Sequence, residues 1–378
     1  MRVLVTSGAE KQCLAAVRSL GRAGVAVEVL DPKPDAPAFR SRYCRAGHVS
    51  PPATDRAASV AFWIERLRAA RYTTVLPCDD LSAALASEER DRFAPLTTLL
   101  LPPPESFRTA TDKATLVSFA GKAGVPVPRT LQPDSVREAA RLGTLLGFPL
   151  IVKGHHGWGA QHVRLAHRPA DLVPLFEEVA ALENAPGDAL PVLQEYVDGV
   201  GYGFTTLYRY GQARALFMHR RAAEYDVTQA ASPYSCPIAE SIYDATLEAL
   251  SRRLFDALEW HGLGMAEWRR ARGTGRFVLM EVNPRLVGST DLAVQSGVDL
   301  PLLAALLARD GDVAPVLGYR TGVRLRWLLP DGLRDLLARP RRLLDPITWR
   351  SASDWSWRDP APHWMQLRRA AWALRHGQ

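Results

Sequence analysis

The sequence predicts an α/β amino-terminal region followed by α+β lobes, and three observations carry that prediction. The first is a strand–helix–strand succession at the start of the chain. The second is the break at Leu101-Pro-Pro-Pro104, beyond which antiparallel pairing replaces alternation. The third is a hairpin that sets two glutamates face to face.

Arg2-Val-Leu-Val-Thr6 reads as a strand, Ser7-Gly8 as a turn, Lys11 to Arg22 as a helix and Val25 to Leu30 as a second strand. Such a βαβ unit implies a parallel sheet with a right-handed crossover. Thr74-Val-Leu-Pro77 is a later strand ending in Asp79-Asp80, at the carboxyl edge where open α/β sheets place ligands. Asp79 and Asp80 are placed to contact an amine or to cap a helix. No Gly-x-Gly-x-x-Gly follows the first strand, which speaks against a dinucleotide cofactor there.

Past the triple proline, Thr111-Asp-Lys113 opens a helix with Thr111 or Asp112 as N-cap. A helix over 135–146, a strand over 148–153, a glycine-containing loop and a strand at Val192–Val197 follow. The strands from Tyr202 to Tyr208 and after Gly211 form an antiparallel pair, and a helix over 243–260 leads into the hairpin. After Pro315 the character changes: six of the ten tryptophans fall there among many arginines. The stretch from His363 to His376 reads as an amphipathic helix, packed on the body, lying on a membrane surface or docking a partner.

Bulk properties set the class. With 378 residues, 47% hydrophobic and 23% charged, the chain is long enough for two or three cored domains. No apolar run approaches the roughly 20 residues of a membrane span, and the first residues do not resemble a signal peptide. Four dispersed cysteines without a Cys-x-x-Cys pair suggest free thiols in a reducing cytoplasm. The net charge of +7 suits anionic small substrates, nucleic acid or a membrane surface, but no nucleic-acid motif accompanies it.

The hairpin carries the chemistry. Glu267 lies in Leu263-Gly-Met-Ala-Glu-Trp268 and Glu281 opens Glu281-Val-Asn-Pro-Arg285, with Arg272-Gly-Thr-Gly-Arg276 as the turn. A turn centred on Thr274 opposes the two glutamates, and Asn283 joins their face because side chains two apart point the same way. Like charges set opposite one another destabilise a sheet unless a cation lies between them. A hard cation such as Mg²⁺, with substrate phosphates in its shell, answers that need. A solvated hairpin also carries glutamate pairs, but the flanking runs Phe277-Val-Leu-Met280 and Leu263-Gly-Met265 read as buried. Lys153 precedes Gly154-His-His-Gly-Trp-Gly-Ala-Gln161, a loop whose amides, at Gly157 and Gly159 among others, can approach phosphate oxygens. Gln194-Glu-Tyr-Val197 offers a strand-end backbone to an adenine edge.

The order Asp112-Lys113, Lys153 with its loop, Glu195 to Val197, Glu267, then Glu281-Val-Asn-Pro-Arg285 resembles the ATP-grasp superfamily, to which biotin carboxylase and D-alanine ligase belong. Ser41-Arg-Tyr-Cys44 and His219-Arg-Arg221 resemble segments of its ATP-dependent carboxylate–amine ligases. The resemblance implies a Rossmann-like preATP-grasp domain over 1–104, a small lobe with the glycine-rich loop over 105–196, a large lobe with the metal site over 197–315, and a Trp/Arg-rich helical extension over 316–378. It implies that Lys113 and Lys153 touch ATP phosphates, that the Glu195 and Val197 backbones hold adenine, and that Glu267, Glu281 and Asn283 hold Mg²⁺, with Mn²⁺ as a substitute. Arg285 would stabilise charge in phosphoryl transfer. The family's ribose-binding acid is missing from Gly201-Tyr-Gly-Phe204, and Asp198 is its stand-in.

The implied reaction joins a carboxylate to an amino-acid-like amine through an acyl phosphate, releasing ADP and phosphate. Arg220, His219 and Arg221 are expected near the carboxylate, and Ser232 in a substrate-facing loop over 224–241. A carboxylating or carbamoylating enzyme is the runner-up, and a non-catalytic ATP-binding regulatory protein the alternative outside catalysis. Partners are small molecules, with no nucleic acid; assembly as a homodimer is allowed.

Overall fold

A computed structural model describes residues 1–155, 162–183, 190–223, 238–338 and 340–376. The chain opens with β1 (Arg2–Val5), the helix Lys11–Arg22 and β2 (Ala26–Asp31), paired in parallel with Arg2 opposite Ala26. β3 (Cys44–Val49) and β4 (Thr74–Leu76) complete a parallel sheet of order β3-β2-β1-β4. Val3, Val5, Val27 and Val29 on one face and Leu4 and Leu30 on the other are buried, as a two-sided parallel sheet requires. β3 escaped the sequence reading because it is an edge strand, half-buried and exposed by turns, with no apolar run.

Pro103-Pro104 is a helix start as well as a break. Pro104–Thr111 is helical with proline in its first turn, where a missing N–H costs nothing. Asp112 then caps Lys113–Lys122 by accepting from Thr115 N at 2.7 Å. β5 (Thr130–Leu131), β6 (Leu150–Lys153), β7 (Val163–Ala166) and β8 (Val192–Glu195) form an antiparallel sheet of order β5-β8-β6-β7. The helices Val136–Leu146 and Pro169–Glu183 flank it, burying Leu142, Leu172 and Phe176; the second was not anticipated.

The largest sheet contains β9 (Gly199–Arg209), β10 (Gln212–Ala223), β11 (Ile238–Ser241), β12 (Gly262–Ala271) and β13 (Phe277–Asn283). β14 (Arg324–Arg326) and β15 (Ala352–Ser353) extend it, in the order β13-β12-β9-β10-β11-β14-β15. The region expected as a helical extension therefore also contributes strands. Side chains alternate between faces. Phe204, Tyr208, Met218, Ala266 and Trp268 pack with Leu247, Leu254 and Phe255 of the helix Ala245–Ala257. Leu207, Phe217 and Leu263 pack with the amino-terminal sheet. Gly262 begins β12 with φ +87°, and a Cβ there would collide with the Leu100 carbonyl.

The tail returns to the amino-terminal part of the chain. The helix Ala361–His376 packs on Pro37–Arg40. Ahead of it, Asp359 is 1% exposed and accepts from Arg18 Nε at 2.9 Å, Ser41 Oγ at 2.8 Å and Arg42 N at 2.9 Å. The Ser41-Arg42 segment thus anchors the tail. Among the described residues no single helix is long and apolar enough to cross a membrane. Cys13, Cys44 and Cys78 are free thiols; Cys236 lies outside the described residues.

Candidate functional site

The glutamate opposition is present, and its cause is more specific than turn geometry. Ala271 N donates to Arg276 O at 2.9 Å, so the hairpin closes between Gly273 and Thr274. That closure pairs Trp268 with Leu279; a bulge at Met280 then brings Glu281 opposite Glu267 and Asn283 opposite Met265. Bulges re-aim side chains and free a backbone group from the ladder. Here the Met280 carbonyl accepts from Lys153 Nζ at 3.2 Å, so the end of β6 meets the bulge directly.

Lys153 is 5% exposed, and burial pulls its ammonium pKa down against the opposing pull of Glu281 and Glu267. The two carboxyls respond in opposite senses. Burial pushes Glu267 up, with Arg221 opposing and Glu281 reinforcing the shift. Burial works on Glu281 too, but Lys153, then Lys113, the Asn283 amide and Arg285 outweigh it and hold Glu281 down. Asn283 Nδ2 donates to Glu281 Oε1 at 3.2 Å and Asn283 Oδ1 accepts from Arg285 at 2.9 Å.

Lys113 reaches the same region from the first turn of its helix. Its neighbour Asp112 lies 3.0 Å from His155 Nδ1, while His155 Nε2 lies 3.2 Å from the Leu190 carbonyl. Burial raises the Asp112 carboxyl, but His155 and Thr115 hold it well below the usual carboxylate range. His155, 6% exposed, therefore ties the segment carrying Lys153 to the helix start carrying Lys113. No sequence signal marked it.

Arg285 is placed among these groups but is heavily engaged. Its Nε and Nη2 grip Asp80 at 2.8 Å each, and Nη1 donates to the Leu286 carbonyl at 3.2 Å. Burial would lower its pKa; Asp80 more than offsets that. Asp80 thus links the end of β4 to the hairpin, while Asp79 caps the helix Asp80–Glu88 through Ser82 N at 2.8 Å. Asp80 sits at the strand edge where a ligand contact was anticipated, but its partner is Arg285.

His219 and Arg221 share the glutamate face, and Arg220 does not. Strand alternation turns Arg220 to the other face, where it grips Glu240 at 2.8 Å and 3.1 Å. Arg220 is therefore separated from the residues it was grouped with. Arg221 donates to Glu267 Oε2 at 2.9 Å. His219 lies over Gly203, the β9 residue opposite both His219 and Glu267, and burial followed by Arg221 lowers its pKa to about 3. With its pKa held that low by burial and by Arg221, the imidazole is neutral at ordinary pH.

At the end of β8, Glu195 N donates to Arg129 O at 2.9 Å, and Val197, 9% exposed, lies in the short link between β8 and β9. Asp198 points to the hairpin tip, its exposed carboxylate 3.2 Å from Arg272 Nε. Gly157, Gly159 and Ser232 lie outside the described residues.

Two opposed carboxylates and an amide form a hard-oxygen set that suits Mg²⁺ or Mn²⁺. Among the described residues no three His, Cys, Asp or Glu side chains gather as a metal site. A cation here would thus be held by Glu267, Glu281, the Asn283 amide oxygen and oxygens of its ligand.

No protein-family model matches the chain. It is 29% identical over 199 residues to a chloroplastic biotin carboxylase of Populus trichocarpa, covering 49% of the chain and 36% of that relative's length. The chain thus spans about a third of the curated relatives it matches. Among solved structures it superposes on the beta-gamma-ATP complex of Campylobacter jejuni biotin carboxylase with a TM-score of 0.70, at 17% identity, covering 85% of this chain and 74% of the other. N5-carboxyaminoimidazole synthetase of Staphylococcus aureus gives a TM-score of 0.67 at 16% identity, covering 91% and 86%. The fold is the one the motif order implied: ATP-grasp.

Proposed function

We propose that this ATP-grasp chain is an ADP-forming ligase that activates a carboxylate as an acyl phosphate and passes it to an amine. The observation that carries the reading is the convergence of Lys153 from the small sheet on the Glu267–Glu281 pair of the large sheet, at the Met280 bulge. A γ-phosphoryl in transfer needs cations around its oxygens. Lys113 and Lys153 would supply two, from different segments. Glu267, Glu281 and Asn283 would hold Mg²⁺, which neutralises phosphate charge and orients the triphosphate when bound. The glycine-rich loop through Gly157 and Gly159 would cover the phosphates. The Glu195 carbonyl and Val197 amide would meet adenine.

Arg285 has a different part in this reading: held by Asp80, it fixes the Asn283 amide oxygen and contributes its field to the cleft. His219 and Arg221, beside Glu267, are the groups nearest to where the acid would lie. Neutral His219 can orient it by hydrogen bonding, and Arg221 can accept its charge by leaving Glu267.

Glu281→Ala tests the reading. The variant removes the counter-charge of buried Lys153 along with a metal ligand, so a folded protein with a lowered melting temperature and ADP release lost is expected; near wild-type turnover sinks the assignment. ADP and phosphate are the expected products, and AMP with pyrophosphate would refute the acyl phosphate. A second reading is supported by the similarity to carboxylases, in which bicarbonate would be the acid. Bicarbonate-dependent ADP release without an organic acid would favour it, whereas a pairwise screen of amino acids that stimulates release favours the ligase.

A further inference from the structure

We infer that the carboxy-terminal segment 346–369, with the Arg40–Arg42 turn beneath it, is a docking surface for an anionic lipid bilayer. The inference does not depend on the catalytic reading. Trp357 is 83% exposed and Trp364 58%. Both meet Trp355 edge to face, at 5.3 Å and 68° and at 6.1 Å and 78°, and Trp355 stacks on buried His363 at 4.8 Å. Two large indoles are thus held outward on a fixed base. Clustered exposed apolar surface of this kind marks an interaction site more often than scattered residues do.

The charge around them is one-sided. Between Pro346 and His376 the carboxylates are Asp354 and Asp359, and both turn inward. Asp359 is enclosed by Arg18, Ser41 and the Arg42 amide, and Asp354 accepts from Leu328 N at 3.0 Å. Just upstream, Asp345 caps the turn at Ile347 N at 2.9 Å. Arg358 and Arg368 are exposed, and Arg42 Nη1 donates to the Arg358 carbonyl at 3.3 Å, so two guanidinium-bearing residues sit side by side. Arg369 is neutralised by Asp35 at 3.5 Å. Trp364 and Arg368 are one helical turn apart and share a face.

Protruding indoles ringed by arginines fit the headgroup layer, where tryptophan is favoured and arginine grips phosphate with paired hydrogen bonds. Stacked nucleic-acid bases need open parallel ring faces; here the rings meet edge to face. The chain would lie on the bilayer, since no single helix among the described residues is fit to cross it.

Co-sedimentation of the full chain with vesicles tests this, using phosphatidylcholine alone and phosphatidylcholine with about a third phosphatidylglycerol. The expected result is binding to the anionic vesicles only, released by salt. Each arginine near such a surface is worth about fivefold in partitioning, so Arg358→Glu/Arg368→Glu should lower binding by roughly 25-fold or more. Trp357→Ser/Trp364→Ser should lower it at least about tenfold. Equal melting temperatures confirm that both exposed-site variants fold. Absent binding, equal binding to neutral vesicles, or binding that both variants retain overturns the proposal. So does self-association in solution that the tryptophan variant abolishes, or displacement from vesicles by a single-stranded oligonucleotide at lower concentration than salt requires.

Discussion

Gly203→Ala should destabilise the protein through a single side chain. Gly203 lies mid-strand in β9, hydrogen-bonded between β12 and β10, so its backbone has no room to retreat. A Cβ there would lie 2.9 Å from both His219 ring nitrogens and overlap the carbon between them. Comfortable separation is about 3.5–4.0 Å, so the ring must move by on the order of 1 Å. It is 8% exposed and stacked at 6.0 Å on Phe217. Overpacking of this kind costs about 1–3 kcal/mol. In a His219→Ala background the obstacle is gone, and relief of glycine's backbone entropy should make the same alanine neutral or stabilising by about 0.5 kcal/mol. Urea unfolding of the four proteins in the cycle measures this. A coupling of at least about 1 kcal/mol is expected, and additivity within about 0.5 kcal/mol would refute the assigned packing.

Other consequences follow from the same contacts. Asp80→Asn removes the charge facing buried Arg285; a loss of about 1.5–3 kcal/mol in unfolding free energy is expected, with turnover reduced because Asn283 loses its fixed partner. Unchanged melting would show that Arg285 finds other compensation. His155→Phe cuts the tie between Asp112 and the Lys153 segment, so the KM for ATP should rise several-fold while kcat changes less; an altered kcat at constant KM contradicts that role. His219 has a folded pKa of about 3 against an ordinary value near 6.5, so the unfolded chain binds the extra proton first. Its contribution is complete above pH ~6.5 and is lost as pH falls toward about 3; His219→Gln should flatten that part of the stability profile relative to wild type.

Much of the fold was legible because it is written in local periodicity. The helix Lys11–Arg22 and the strands around it follow from apolar spacing, and the hairpin from alternation around glycines. Elements without such a pattern were missed: edge strand β3, and the helix that begins inside the proline run. Arg220 was separable in principle. Three consecutive strand residues cannot all face one ligand, so period-two alternation alone admits His219 with Arg221 or else Arg220.

The chemistry the chain can present is written in its residue order: two hard carboxylates at a spacing a hairpin can oppose, an asparagine on their face, and lysines in the order of the ATP-grasp motifs. How those groups are held follows from the packing of distant segments. The Met280 bulge, the Lys153 contact to its carbonyl, the Asp112–His155 tie and the Asp80 grip on Arg285 join segments 43 to 205 residues apart. A side chain's partner across such a distance depends on which elements pack together, and local sequence pattern records faces and periods but not those pairings.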